Sequence, residues 1–284
     1  MRIHSLLGVL GCGCGMIGLV TMPAVGQQVA PTFDVPAAHV ALDPNRTGPV
    51  FTIGLGAAFA PDYEGSDDYQ PVPLWNFRAG NLYDPETYVQ LLGPTLRSNF
   101  LPSDHWRLGV SGRYIPERDD VDDDILDEFD SVDASILLGV MGGYDFIAGR
   151  QQDLGVMLDV KQDVSGDNGF LGTIQGFYGT AVGNRSRLGL GIETTWASED
   201  YMSSYFGVSA GDAAQSGLDQ FDADEGWKDV ALSASYTYAF GERWSVTGVG
   251  RYARLLGDAE DSPVVDDRGD ANQFIVGLLA NFSF

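Results

Sequence analysis

The sequence predicts an all-β fold, a closed antiparallel β-barrel of about 12 membrane-crossing strands with about 10 as the alternative. Three observations carry that reading. From Val50 to the last residue, apolar side chains recur at every second position, the period of a strand with two unlike faces. The connections between these segments alternate between short and long. The chain also ends on an unbroken alternation of Phe274, Val276, Leu278, Ala280, Phe282 and Phe284. Composition agrees: the hydrophobic fraction is 44% and glycine reaches 37 residues. A barrel turns half of each strand to a polar lumen, so its average hydropathy is ordinary.

The elements follow in chain order. Residues 1–26 read as a secretory signal, with Arg2 as its positive end, an apolar run over residues 6–20 and small residues Ala24 and Gly26 at the cut before Gln27. The apolar run is too short for a membrane-spanning helix. Val9-Leu10-Gly11-Cys12 also resembles a lipoprotein cleavage box, but apolar residues continue past Cys12, so an unlipidated start near Gln27 is the expectation. Residues 27–49 form a proline-bearing periplasmic lead-in, and residues 50–284 one barrel domain.

In the first strand, residues 50–60, Phe51, Ile53, Leu55, Ala57 and Phe59 oppose Thr52, Gly54, Gly56, Ala58 and Ala60. Over residues 70–99, Pro71, Pro73, Pro85 and Pro94 blur the pattern. The inventory there falls one short, at about eleven, where an even number is expected. Alternation returns over residues 106–114, 154–160, 188–196 and 230–240. Trp106, Tyr114, Tyr144, Trp196 and Trp244 lie near strand ends, as interfacial girdles require. Residues 146–151, 182–186 and 241–242 are short connections, and residues 118–133, 197–227 and 257–271 long acidic ones. In an outer membrane the short turns face the periplasm and the long loops the outside.

Chemistry is sparse. The formal net charge is −24, with 16 basic residues against 40 acidic ones, which excludes nucleic acid as a partner. Cys12 and Cys14 leave with the signal, so the mature chain has no thiol and no disulfide. Of the histidines, His4 leaves too, His39 lies in the lead-in and His105 in a predicted turn; no pair has metal spacing, and no cofactor is expected. His105 is the one barrel base, without a hydrolase motif around it, so no enzymatic activity is expected. The acidic stretch 117–133 holds Asp119, Asp120, Asp122, Asp123, Asp124, Asp127, Glu128, Asp130 and Asp133. It lacks the spacing of a calcium loop and reads as a solvated loop, with cation bridging to lipopolysaccharide phosphates as the weaker alternative.

Alternation turns Arg107, Arg113, Asp159, Lys161, Glu193 and Arg251 into the lumen. Asp159, Glu193 and Arg251 fall midway along their strands and are expected to share a height. Opposite charges confined there should pair, because an unpaired buried charge is costly. A closed, ion-paired interior is the favoured outcome and a narrow solute path the alternative.

Residues 54–56, Gly-Leu-Gly, precede Pro61-Asp62-Tyr63-Glu64-Gly65-Ser66-Asp67-Asp68-Tyr69. Tyr205-Phe206-Gly207-Val208-Ser209 comes next, followed by Ser216-Gly217-Leu218. Then come Gly257-Asp258-Ala259-Glu260-Asp261-Ser262-Pro263-Val264-Val265 and the terminal Asn281-Phe282-Ser283-Phe284. In these stretches the chain resembles the MipA/OmpV family of outer-membrane proteins, the MltA-interacting protein family. The resemblance implies a barrel in the outer membrane of a Gram-negative bacterium, in contact with lipid and lipopolysaccharide. It implies a scaffolding role for the murein-synthesising machinery, with periplasmic murein hydrolases or synthases as partners. A small solute channel and a surface receptor or adhesin are the alternatives. The family carries no agreed catalytic residues to transfer. Turn chemistry accounts for the motif residues, Gly65 allowing positive φ and Asp67 and Asp68 bonding local backbone. Phe282 and Phe284 resemble the C-terminal signal read by the barrel assembly machinery.

Overall fold

The computed structural model describes residues 48–118, 123, 125–126, 129, 131–149 and 151–284. The signal, nearly all of the lead-in, and Asp119, Asp120, Asp122, Asp124, Asp127, Glu128 and Asp130 lie outside the described residues. Twelve strands are described: β1 (Val50–Pro61), β2 (Tyr69–Gly80), β3 (Tyr88–Leu92), β4 (Thr95–Asn99), β5 (Trp106–Ile115), β6 (Ser135–Ile147), β7 (Gln152–Asp163), β8 (Phe170–Val182), β9 (Ser186–Ala197), β10 (Gly226–Ala239), β11 (Trp244–Leu255) and β12 (Asn272–Ser283). Four short helices lie in two of the connections: α1 (Glu199–Phe206), α2 (Ala210–Ser216), α3 (Asp258–Asp261) and α4 (Pro263–Asp266).

Each strand pairs antiparallel with its sequence neighbour, and β12 returns to β1 with Thr52 opposite Ser283, so the barrel closes. The strand missing from the alternation lies in residues 70–99, which hold β2 and the short hairpin β3–β4. Closure leaves no edge at the seam. Phe51 and Phe284 exchange both backbone hydrogen bonds, at 3.1 and 2.9 Å, and their rings stack 5.9 Å apart.

The two faces obey different solvents. Leu55, Val140, Leu158, Ile192, Leu232 and Val276 are exposed on the outer surface, where lipid is the solvent. The inward positions carry small or polar residues such as Ser111, Thr173, Gln175, Ser233, Ser235 and Asn281, all buried. Aromatic pairs mark both rims: Trp106 meets Tyr144 edge-on at 4.8 Å and Trp244 meets Phe282 at 4.9 Å on the short-turn rim, and Phe170 meets Trp196 at 5.2 Å on the long-loop rim.

Deleting Phe284 removes two backbone hydrogen bonds and an aromatic stack at the closing seam. The exchanged bonds contribute on the order of 1 kcal/mol each, at the last step that makes an open sheet a barrel. We expect the deletion to reduce folded protein in the outer membrane far more than Phe240→Ala, which removes an exposed rim aromatic. Unheated-gel mobility of envelope fractions reads this, and equal folded levels for the two variants would count against it.

Candidate functional site

The β9–β10 and β11–β12 connections fold into a cap at one end of the barrel. In the β9–β10 connection, Ser198 caps α1 by accepting from the Tyr201 amide, and Glu199 and Asp200 fill its first turn. Ser209 and Asp212 form a reciprocal capping box on α2, which Gly217 ends in the left-handed conformation at φ 77°. In the β11–β12 connection, Ser262 caps α4 and Pro263 opens it. α1 turns Tyr201, Met202, Tyr205 and Phe206 inward, onto Ile115, Leu137, Leu171 and Leu255 of the strand ends. A second cluster joins Tyr63, Leu126, Val208 and Val264. Burying each such side chain stabilises the cap by roughly 1.5–3 kcal/mol.

The three loop stretches that carry the family resemblance meet in this cap. Ser66 bridges to Gly269, and the Gly65 amide donates to Gln273 Oε1 at 3.3 Å. Gly65 has φ +104°, and a Cβ there would stand 2.5 Å from Val265 Cγ2, so glycine is required both by conformation and by the approach of the third stretch. Ser262 Oγ donates to the Phe206 carbonyl at 2.6 Å, tying the third stretch to the second.

Beneath the cap, polar contacts run across the bore. The register of β9 and β10 shifts between Trp227 and Asp229, and this bulge turns the consecutive residues Lys228 and Asp229 both inward, 2% and 3% exposed. Lys228 Nζ bonds Glu64 in the β1–β2 loop, and Asp229 Oδ2 at 2.6 Å. Tyr201 of α1 donates its hydroxyl to Glu64 Oε2 at 2.9 Å. From Asp229 the line passes to Arg251 at 3.9 Å, and from Arg251 to Glu193, with 2.9 Å from Nε and 2.8 Å from Nη2 to Oε1. Gln175 Nε2 donates to Glu193 Oε2 at 3.2 Å, and Arg97 Nη2 reaches Gln175 Oε1 at 3.3 Å. The line therefore joins β4 to β8, β9, β11 and β10, then climbs through Glu64 into the cap. Burial alone would raise the Glu64 carboxyl, but Lys228, helped by Arg113, outweighs that and holds it below the usual carboxylate range. Burial first, and Glu64 second, push the Tyr201 hydroxyl well up, so it stays a neutral donor.

The six lumen charges read from alternation are placed as follows. Glu193 and Arg251 pair directly. Asp159 does not join them: it pairs with Lys161 Nζ at 2.5 Å and accepts from Ser111 Oγ at 2.5 Å. The register explains the separation, because Asp159 lines up through Thr173 with Thr195, whereas Glu193 lines up through Gln175 with Met157. Arg107 makes a forked pair with Asp145, from Nε at 2.9 Å and Nη2 at 2.5 Å. Arg113 is buried and contributes to the positive field at Glu64. Sequence reasoning missed Glu64, Arg97, Gln175, Lys228 and Asp229. The signal for Lys228 and Asp229 was two adjacent charges just before a clean alternation; for Glu64 it was a carboxylate inside a family motif. His105 lies at the short-turn rim with Nδ1 2.7 Å from the Asp145 carbonyl, which makes that nitrogen a donor, and its ring stacks on Tyr144. Among the described residues, no group of three His, Cys, Asp or Glu side chains is placed to hold a metal ion.

Residues 53–284 match the family described as MltA-interacting protein MipA. A curated relative, the MltA-interacting protein of Escherichia coli K12, is 43% identical over 77 residues, 27% of this chain and 30% of the relative. Outer membrane protein Omp26La of Vibrio anguillarum is 32% identical over 92 residues, 32% of this chain and 33% of the relative. The chain thus spans about a third of the length of the curated relatives it matches. Among solved structures, the COG4313 outer membrane channel from Pseudomonas putida F1 is similar at 12% identity and a TM-score of 0.47, over 85% of this chain and 99% of that one.

Proposed function

This chain belongs to the MltA-interacting protein MipA family, and from that membership and its crossed lumen we propose that it is an outer-membrane structural protein that holds murein-cleaving or murein-synthesising enzymes near the membrane. The carrying observation is the line of contacts from Arg97 to Tyr201, topped by a cap with its own apolar core. Buried, paired charges resist opening, since separating any pair leaves an uncompensated charge inside the wall. A barrel built this way serves as a rigid platform and not as a conduit. Its partners are then reached from the periplasmic side, through the short turns or the lead-in of residues 27–49. Lipid and lipopolysaccharide surround it, and the assembly machinery reads its terminal Phe282 and Phe284.

Affinity purification of the tagged chain from crosslinked native envelopes tests this reading. We expect a murein hydrolase or synthase to co-purify, and to be lost when the periplasmic turns are replaced by minimal Asn-Gly links. Recovery of the barrel without any murein enzyme, under conditions that retain other envelope complexes, would overturn the scaffold reading.

A further inference from the structure

Three arginines hold carboxylates in one way. Arg107 presents Nε and Nη2 to Asp145, Arg251 presents them to Glu193, and Arg268 to Asp123, at distances from 2.5 to 3.0 Å. That edge of the guanidinium carries two parallel N–H groups and suits the planar fork of a carboxylate. Arg78 lies two residues from the short-turn end of β2, opposite Thr52 of β1 and Gln90 of β3. Its guanidinium sits over the Tyr88 ring, 4.1 Å from the centroid, and its Nη1 donates to Gln90 Oε1 at 3.1 Å. A run of amides fixes that acceptor. Gln90 Nε2 donates to Asn76 Oδ1 at 2.8 Å, Asn76 Nδ2 to Asn281 Oδ1 at 3.2 Å, and Asn281 Nδ2 to Thr247 Oγ1 at 3.1 Å. With its nitrogen committed to Asn76, Gln90 turns its oxygen to Arg78.

One face of the guanidinium is thus stacked and one nitrogen bonded, which holds its plane. The edge formed by Nε and Nη2 meets no carboxylate among the described residues, and the buried Nε has no hydrogen-bond partner there. Arg107 and Arg187, inward cations of the same end, are paired with Asp145 and Asp153. The like charge of Arg107 acts on Arg78 more strongly than the opposite charge of Glu86 does. Gly80 clears the approach to this edge. It is the next inward residue after Arg78 and ends β2. A Cβ there would stand 3.5 Å from Arg78 Nε and 3.9 Å from Nη2, and would meet no other atom within 4 Å beyond its chain neighbours. Gly80 has no positive φ, so its backbone does not call for glycine. What the missing side chain does is leave the fork edge uncovered.

We propose that the Nε–Nη2 edge of Arg78, beside Gly80, is a binding site for a small carboxylate anion entering the bore from the short-turn end. The anion accepts from Nε and Nη2 as Asp145 does from Arg107, while Tyr88 and Gln90 hold the plane of the fork. A single cation with Glu86 nearby suits one negative charge; a phosphate monoester carries nearly two. The site lies apart from the contacts that carry the scaffold reading and does not depend on it. The test uses the full chain, with nitrogen-15 in its arginine side chains, refolded in neutral maltoside micelles. The Nε–H signal of Arg78 is the one lost in Arg78→Lys. Sodium acetate is titrated alongside sodium chloride and sodium phosphate at matched ionic strength and constant pH. We expect acetate to move the Arg78 signal downfield to saturation. The signals of Arg107, Arg251 and Arg268 should stay in place, because Asp145, Glu193 and Asp123 already hold them. Gly80→Val, whose Cβ stands at ordinary contact distance, should cover the edge and weaken acetate binding several-fold. No movement of the Arg78 signal, equal movement with chloride or phosphate, or undiminished acetate binding in Gly80→Val would overturn the proposal. Should a variant fail to fold, the natural chain still decides, through an Nε–H signal that saturates with acetate alone.

Discussion

Replacing Lys228 with alanine is expected to release the cap from the barrel wall and to destabilise the fold by about 3–5 kcal/mol, the usual cost of removing one partner from a buried ion pair. Lys228 is 2% exposed and serves two carboxylates, Glu64 in the cap and Asp229 in the wall. Its loss leaves both without their ammonium. The denaturant midpoint of the refolded barrel reads the energetic change, and limited proteolysis within residues 197–227 reads the release. A pH signature accompanies it. The Glu64 carboxyl is held down in the folded state by Lys228 against the pull of burial. Its stabilising contribution is therefore present above the pH at which an unfolded glutamate titrates, and is lost as pH falls through the lower folded value. The natural cap should resist acid to below the ordinary carboxylate range, and Lys228→Ala should shift its loosening to higher pH. An unchanged midpoint and unchanged cleavage in Lys228→Ala would mean that the cap is held by its apolar core alone.

Arg251→Ala is the second large effect. Arg251 stands 2.8 Å from Glu193 and 3.9 Å from Asp229, and its removal leaves those carboxylates of the neighbouring strands β9 and β10 without the cation between them. A contact at about 4 Å, such as that with Asp229, contributes roughly 4 kcal/mol of Coulomb attraction at an intermediate effective dielectric, before desolvation is subtracted. Without the guanidinium the two acids should repel, take up protons or cations, and loosen the middle of the bore. We expect a small, cation-selective conductance from Arg251→Ala in planar bilayers, with a midpoint lowered by a few kcal/mol. Anion selectivity would assign the residual charge to other residues.

The parts of this architecture that were legible in the sequence are those where two solvents act on alternate residues. β1, β5, β7, β9, β10 and β12 each divide cleanly into lipid-facing and lumen-facing sets, and β12 carries that division to its last residue. Legibility failed where alternation is broken for a local reason. At residues 70–99, Pro71 and Pro73 sit on a stretch of β2 that pairs, among the described residues, with β1 alone, Pro85 and Pro94 lie in connections, and β3 and β4 are too short to show a period. At Lys228 and Asp229 the bulge turns consecutive residues to one face, which no period-two reading can assign. The grouping of Asp159 with Arg251 failed because height within a barrel depends on the accumulated register between strands, which sequence position along each strand does not contain. The meeting of the three loop motifs in one cap is a tertiary fact: each reads locally as turn chemistry, and only packing of Gly65 on Val265, and of Ser262 on Phe206, joins them.

The most direct measurement is single-channel conductance of the natural protein in planar bilayers. The proposed closure rests on the line from Arg97 through Gln175, Glu193, Arg251, Asp229, Lys228 and Glu64 to Tyr201, and on the apolar core of the cap at the long-loop end. A closed structural barrel predicts little or no current from the natural protein, with openings appearing only in Lys228→Ala and Arg251→Ala. Large, stable conductance from the natural protein would contradict the closed lumen and place a solute channel ahead of the scaffold.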